Sequence, residues 1–332
     1  MIPLVHLHNN SRFAVRAILV CLTLLCFGCK DEENTPSPKT ILSENSVSLV
    51  VLGTVQDAGS PHIACKKECC TLLFDMPNTD RKVVSLGLVD AQYQQTFLFE
   101  ATPDIAEQLK LLKRSASWEA LEMPNGIFLT HAHIGHYTGL MYLGKEATNT
   151  DRVPVYSMPK MKSFLENNGP WSQLVATHNI TLNQISENQV LELNTMLRVI
   201  AFTVPHRDEY SETVGYKIIG PNKSALFIPD IDKWEKRETK IVIQIMNVDY
   251  AFLDASFYDG AEINNRDISE IPHPFVVESM ELFESLPEAE KKKIYFIHFN
   301  HTNPLLNEKS LQSQTVLKNG FNIARINQSF EL

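Results

Sequence analysis

From Val47 onward the chain is broken into short apolar runs, each closed by a polar residue or a glycine. They include "VSLVVLGTV", "KVVSLGLVD", "QTFLFEA", "GIFLT", "VPVYSM", "MLRVIAFTVPH", "TVGYKIIG", "ALFIPD", "DYAFLDAS" and "KKIYFIHF". Runs of this length, rich in Val, Ile and Phe, predict strands. Between them the apolar spacing turns helical. "TPDIAEQLKLLKRS" reads as a helix opening at Thr102 or Pro103, and "HYTGLMYLGKEA" and "HPFVVESMELFESL" read as two more. Paired strand runs with intervening helices predict an α+β domain in which two sheets carry helices on their outer faces. No linker-like break follows Val47, so residues 47–332 read as one domain.

The N-terminus has a different pattern. Arg12 and Arg16 precede "AILVCLTLLCFGC", an apolar stretch ending at Cys29. It is short for a membrane span, and its basic flank suits a signal peptide. Gly28–Cys29 resembles a bacterial lipobox, which implies that residues 1–29 are a lipoprotein signal and Cys29 the lipidated first residue of the mature chain; an uncleaved anchor or a signal cut elsewhere is the alternative. Residues 30–46 begin "KDEENTPSPK", polar and proline-containing, and read as a flexible tether. The expectation is an exported protein anchored through Cys29 to the outer membrane, periplasmic or surface-exposed.

Composition narrows the partners. The 332 residues are 44% hydrophobic and 21% charged, which is ordinary globular material. The net charge of −9 is diffuse, and its longest basic run is Lys291–Lys293. A nucleic-acid partner needs a concentrated basic surface, so none is expected. A small-molecule substrate is expected, and the sequence leaves a homodimer open.

The chemistry sits at strand ends. "LTHAHIGHYTGL" follows a buried run and places His131 and His133 two apart, so that both imidazoles point to one side. His136 comes at the start of the next element and can reach a second ion. His206, Asp230 and His298 are each the first ligand-type residue after a further apolar run. Imidazoles and carboxylates converging from several strand ends predict a metal centre.

A second constellation, Cys65, Cys69 and Cys70, lies in "ACKKECC". Thiolates suit tetrahedral zinc. A disulfide is the rival reading for an exported protein.

These pieces together resemble the metallo-β-lactamase superfamily, and within it the pyrroloquinoline quinone biosynthesis protein B group. The matching segments are "VVLGTVQDAGSPHIACKKECC", "LFEATPDIAEQL", "LTHAHIGHYTGL", "VPHRDEYSETVGYKI" and "FIHFNHTNPLL". A cyclic phosphodiesterase of phosphonate breakdown shares the early cysteine cluster. The resemblance implies a four-layer αββα sandwich. It implies one metal held by His131, His133 and His206, a second held by His136 and His298, and Asp230 bridging the two. Asp254 would orient an active-site histidine from behind, His273 would be a proton donor or a hydrogen-bonded helix-start residue, and Glu100 would have a structural role. Cys65, Cys69, Cys70 and His301 would hold a structural zinc. Zinc is the expected active-site ion, in one or two copies, with iron and manganese as alternatives.

The superfamily loop reads H-x-H-x-D-H, and here the aspartate position is Gly135. The expectation is a weakened second position, which Gly135→Asp would tighten if the side chain fits. The implied activity is hydrolysis of a phosphodiester or ester by metal-activated water. Two readings stand beside it: an iron-dependent oxidative enzyme like the quinone-biosynthesis relatives, and a catalytically weak metal-binding protein.

Overall fold

Val47–Gly53 (β1) is buried at every position, as expected of a strand covered on both faces. A computed structural model describes residues 46–237, 240–264 and 267–332. The expected signal segment, residues 1–29, and the expected tether up to residue 45 lie outside the described residues.

Among the described residues the strands form two seven-stranded sheets. The first contains β1, β2 (Ser85–Asp90), β3 (Gln95–Phe99), β4 (Gly126–Phe128), β5 (Val153–Ser157) and β6 (Ile180–Gln184), with β14 (Ser329–Glu331) on the far side of β1. The second runs β13-β12-β11-β10-β9-β8-β7. Its members are β7 (Val190–Glu192), β8 (Arg198–Thr203), β9 (Val214–Ile219), β10 (Ser224–Ile228), β11 (Tyr250–Asp254), β12 (Ile294–Ile297) and β13 (Asn322–Ile323). Strands β3 to β6 are mutually parallel, as are β10 to β13.

Three apolar clusters define the layers. Leu49, Phe99, Phe128, Tyr216, Phe227 and Phe252 pack between the sheets. Leu98 and Ile127 face the helix Ile105–Ser115 through Leu109 and Leu112. On the other side, Leu226 and Phe296 meet Ile245, Phe283 and Val316 of the outer helices. The order is helix, sheet, sheet, helix: the expected αββα sandwich.

Parallel strands carry their C-terminal ends to one edge, which in sheets of this kind is where ligands collect. The register Asp254↔Ile297 sets His298 one residue beyond the level of Asp254 on the neighbouring strand. Glu100 and His298 adopt left-handed backbone, with φ of 76° and 67°. Non-glycine residues in that region cluster at functional sites, where the surrounding structure holds them against the strain.

One element differs from the sequence expectation. The continuous helix expected from His136 is a single turn, Ile134–Tyr137, followed by a 3₁₀ segment, Thr138–Leu143. The cause is local. The His136 carbonyl accepts from Ala101 N–H at 2.9 Å, and Gly139 N–H donates to the Ala101 carbonyl at 2.8 Å. Both groups are drawn out of the α-helical ladder by the strand end beside them. Any side chain at Gly139 would strike the Thr102 carbonyl, 2.1 Å from a built Cβ.

Candidate metal centre

His131 and His133 follow β4, His206 follows β8 and Asp230 follows β10. Their inner atoms converge. His131 Nε2 lies 2.9 Å from His133 Nδ1, and His133 Nδ1 lies 3.3 Å from His206 Nε2. Asp230 Oδ2 lies 3.2 Å from His131 Nε2, 3.1 Å from His206 Nε2 and 3.8 Å from His133 Nδ1. A tetrahedron with metal–nitrogen bonds of roughly 2.0–2.1 Å has edges of about 3.3 Å. These four atoms therefore have the spacing of one tetrahedral ion's ligands.

A second set shares Asp230. His136, His298, Asp230 and Asp57 bring one ligand atom each within 4.8 Å of one another. His136 Nε2 is 3.8 Å from Asp230 Oδ2, the same oxygen that faces the first set. Asp57 was not among the residues singled out from the sequence. It lies in the turn after β1, with Oδ1 2.9 Å from His136 Nε2 and 3.4 Å from His298 Nε2. A signal for it was present: like Asp230, it is the first carboxylate after a buried apolar run.

The outward nitrogens are engaged from behind. His131 Nδ1 meets Thr130 Oγ1 at 2.8 Å, and His206 Nδ1 meets Asp232 Oδ1 at 3.1 Å. His298 Nδ1 lies 3.0 Å from Ser256 Oγ and 3.3 Å from Asp254 Oδ1. His136 Nδ1 faces the fully buried Glu100 at 3.6 Å. Such partners fix the tautomer and leave the inner nitrogen free to bind a cation. Asp254 is itself 0% exposed and accepts from Ile231 N–H, Ser256 N–H and the Ser256 hydroxyl, which makes it a positioning residue behind the ligands. His273 Nδ1 lies 2.9 Å from Asp254 Oδ2 and 3.2 Å from Asp230 Oδ1, between the two carboxylates.

The electrostatics ask for a cation. Asp57, Glu100, Asp230 and Asp254 crowd one site, and among the described residues no lysine or arginine pairs with any of them. Unpaired buried charge is costly. Burial works against the Asp230 carboxylate, yet His273 and His206 outweigh it and hold the acid far below its usual range. Burial also opposes a proton on His298, but the Asp254 and Asp57 hydrogen bonds outweigh it and lift the imidazole to about 9. His131 goes the other way: burial, then the neighbouring His136, depress it to about 3. A divalent ion suits this donor set, since it compensates the carboxylates while the imidazoles stay neutral.

The expectation for Gly135 needs correction. A Cβ there would sit 2.4 Å from Asp57 Cα and 2.7 Å from Asp57 Oδ1. There is no room for an aspartate at position 135, so Gly135→Asp cannot simply add a ligand.

The cysteine cluster assembles as well. Cys65, Cys69, Cys70 and His301 bring one ligand atom each within 4.8 Å of one another, and the three cysteines are free thiols. Cys69 and Cys70 Sγ stand 3.8 Å apart. That is about the edge of a tetrahedron with ~2.3 Å metal–sulfur bonds and nearly twice a disulfide's bond length. Burial and the neighbouring thiols push Cys69 up to about 12, so ionising the cluster calls for a cation. Burial, His62 and Lys67 lower His301 to about 4, which leaves its imidazole neutral.

A cavity of about 740 Å³ opens beside the ligands, with Asp57 and His133 among the residues that line it. Its wall is aromatic: Tyr137 packs on Trp171 at 4.9 Å and on Phe164 at 5.4 Å, and Phe164 on Tyr210 at 5.6 Å. Arg207 also lines it.

Two layered sheets with histidines and carboxylates gathered at the strand ends define a metallo-β-lactamase fold. The chain belongs to the β-lactamase superfamily domain family, whose pattern matches residues 95–299. It is similar to the coenzyme PQQ synthesis protein B of Methylorubrum extorquens strain PA1, 23% identical over 310 residues that cover 86% of this chain and 99% of the relative. The Methylococcus capsulatus protein of the same name is 24% identical, covering 82% and 96%. Among solved structures, zinc-bound PqqB from Methylobacterium extorquens superposes with a TM-score of 0.70 at 22% identity, covering 86% of this chain and all of that one. A diphosphatase of the PhnP family gives 0.59 at 21% identity, covering 86% and 97%.

Proposed function

We propose that this protein is a metal-dependent hydrolase of anionic esters, with phosphodiesters carrying a flat aromatic group as its substrate class. The observation behind this is the position of the shared Asp230 carboxylate, between two imidazole sets and beside an open cavity with aromatic walls. Zinc bound by such ligands acts as a Lewis acid and lowers the pKa of its water to about 7. His131, His133 and His206 would hold one ion, His136 and His298 another, and Asp230 would face both. Thr130, Asp232, Ser256 and Asp254 keep the imidazoles aimed inward. Arg207 would meet the substrate's negative charge, while the Tyr137–Trp171 wall takes up its apolar part. The fold relation to a PhnP-family diphosphatase agrees with this chemistry.

The test is metal analysis of the purified chain, followed by a screen of aryl phosphodiesters and carboxylic esters. Metal-dependent turnover that is lost in His131→Ala supports the reading. No turnover from a fully zinc-loaded, folded protein overturns it. That outcome would favour a second reading, a role like that of the coenzyme PQQ synthesis protein B relatives, whose length the chain covers almost completely. Oxygen consumption by the iron-loaded protein would then be the measurement.

The protein would act after export, lipid-anchored through Cys29. Cys29→Ala should release it from the membrane fraction. A variant that stays there with unchanged mass would refute lipidation at this cysteine.

A further inference from the structure

We propose that the second metal position keeps a complete ligand set because its carboxylate has moved: Asp57, in the turn after β1, supplies the ligand that the histidine loop lacks at Gly135. This rests on the metal-binding reading above and changes what that reading implies for the second ion.

Three observations carry it. The first is placement. Asp57 Oδ1 stands 2.9 Å from His136 Nε2 and 3.4 Å from His298 Nε2, spacings close to those in the first set. With Asp230 these residues form a group of four donors, Asp57, His136, Asp230 and His298. The second is mutual exclusion. A Cβ at position 135 would fall 2.4 Å from Asp57 Cα and 2.8 Å from Asp57 Cβ. The glycine is thus the room that Asp57 occupies, and the two residues work as one exchange. The third is anchorage. Gln56 N–H donates to the Phe299 carbonyl at 2.8 Å, and Phe299 N–H donates to the Thr54 carbonyl at 2.7 Å. The chain just before Asp57 is therefore tied to the residue just after His298. Gly59 N–H closes the turn on the Gln56 carbonyl at 2.9 Å, with Gly59 at φ +77°, a conformation that glycine adopts without strain. A carboxylate that merely shielded a protonated histidine would need neither a matched cavity at Gly135 nor contact with both imidazoles.

The alternative is a site left with one carboxylate, in which Asp57 is only an ion-pair partner of His136. Three variants separate the two, read as metal retained after dialysis against a graded chelator, with circular dichroism confirming the fold. Asp57→Asn should lose about one ion per chain relative to the native protein, its retention weakened at least about 10-fold, since losses behind the ligands alone cost 10–100-fold. Gly135→Ala, which removes no donor group but sets a methyl against Asp57, should produce the same loss by displacing Asp57. Asp57→Ser likewise removes the carboxylate and should lose the same ion. It decides the matter if Asp57→Asn or Gly135→Ala fails to fold. Native-like retention in Asp57→Asn or in Gly135→Ala overturns the proposal and leaves the hydrolase reading standing. Native-like retention in Asp57→Ser also overturns it. If the native chain itself retains no ion with zinc, iron or manganese in excess, the metal-centre reading falls and this inference goes with it.

Discussion

The histidine–aspartate centre draws its inner ligands from the ends of β1, β4, β8, β10 and β12, whereas the cysteine cluster takes three of its four groups from the segment Cys65–Cys70. The first is deep: His131, His136, Asp230 and His298 are at most 2% exposed, and the outward nitrogens of His131, His206 and His298 have hydrogen-bond partners. The second sits in a half-exposed loop and the helix Glu68–Asp75, with His301 as its one distant member. The first adjoins a cavity of about 740 Å³. None of the second cluster's four donors is among the residues that line that cavity. The difference teaches that the first centre requires both sheets to be docked, while the second can tie a peripheral loop to the chain beyond β12.

The strongest challenge to that comparison is to remove one first-set ligand. His206→Ala should leave the fold intact, because β8 and β9 are paired independently of this side chain. Activity should fall by well over the 10–100-fold typical of losses behind a metal's ligands. An active, metal-bearing His206→Ala would show that the centre does not need its strand ends.

Next comes the support layer. Asp254 touches His298, His273 and Ser256 but not the cavity. Asp254→Asn keeps the shape and removes the charge, so metal affinity should drop about 10–100-fold with the cavity unchanged. The readout is a chelator competition. A change in KM alone would place Asp254 in substrate binding instead.

Cys65→Ser tests the other cluster. If that site stabilises the fold, the melting temperature should fall by several degrees, at about 2–4 °C per kcal/mol for chains of this size class, with activity per folded molecule little changed. A disulfide found by mass spectrometry would remove the zinc account.

Much of the fold was legible because its strands are short, apolar and buried, and their ends carry the chemistry. His206, Asp230 and His298 are each the first ligand-type group after such a run, and His131 and His133 open the loop after another. Asp57 obeys the same rule, but the H-x-H-x-D-H pattern points to position 135 for the carboxylate. That a side chain there collides with a residue some eighty positions earlier is a fact of tertiary packing, invisible to local pattern. The broken helix after His136 is of the same kind, since its hydrogen bonds are taken by Ala101, a neighbour only in the fold.

The smallest expected effect concerns the loop that holds His301 in place. Glu262 accepts from Tyr258 N–H and, at 2.7 Å, from the hydroxyl of Thr302, next to His301. Burial raises its carboxyl to about 7, with the two hydrogen bonds only partly opposing the shift. The folded-state pKa is thus above the unfolded one, and folding favours the protonated acid. The associated stability is fully present below the ordinary carboxyl value of about 4.5 and is lost as pH rises through about 7. Glu262→Gln, a neutral group of the same shape, should remove that slope. Melting curves taken from pH 4.5 to 7.5 should show the native protein losing more stability than the variant, while Cys65→Ser keeps the native slope on a lower baseline. Parallel curves for native and Glu262→Gln would mean that Glu262 is already ionised in the fold. The cysteine cluster would then have a charged neighbour, and the contrast between a self-contained metal tie and a carboxylate-rich centre would narrow.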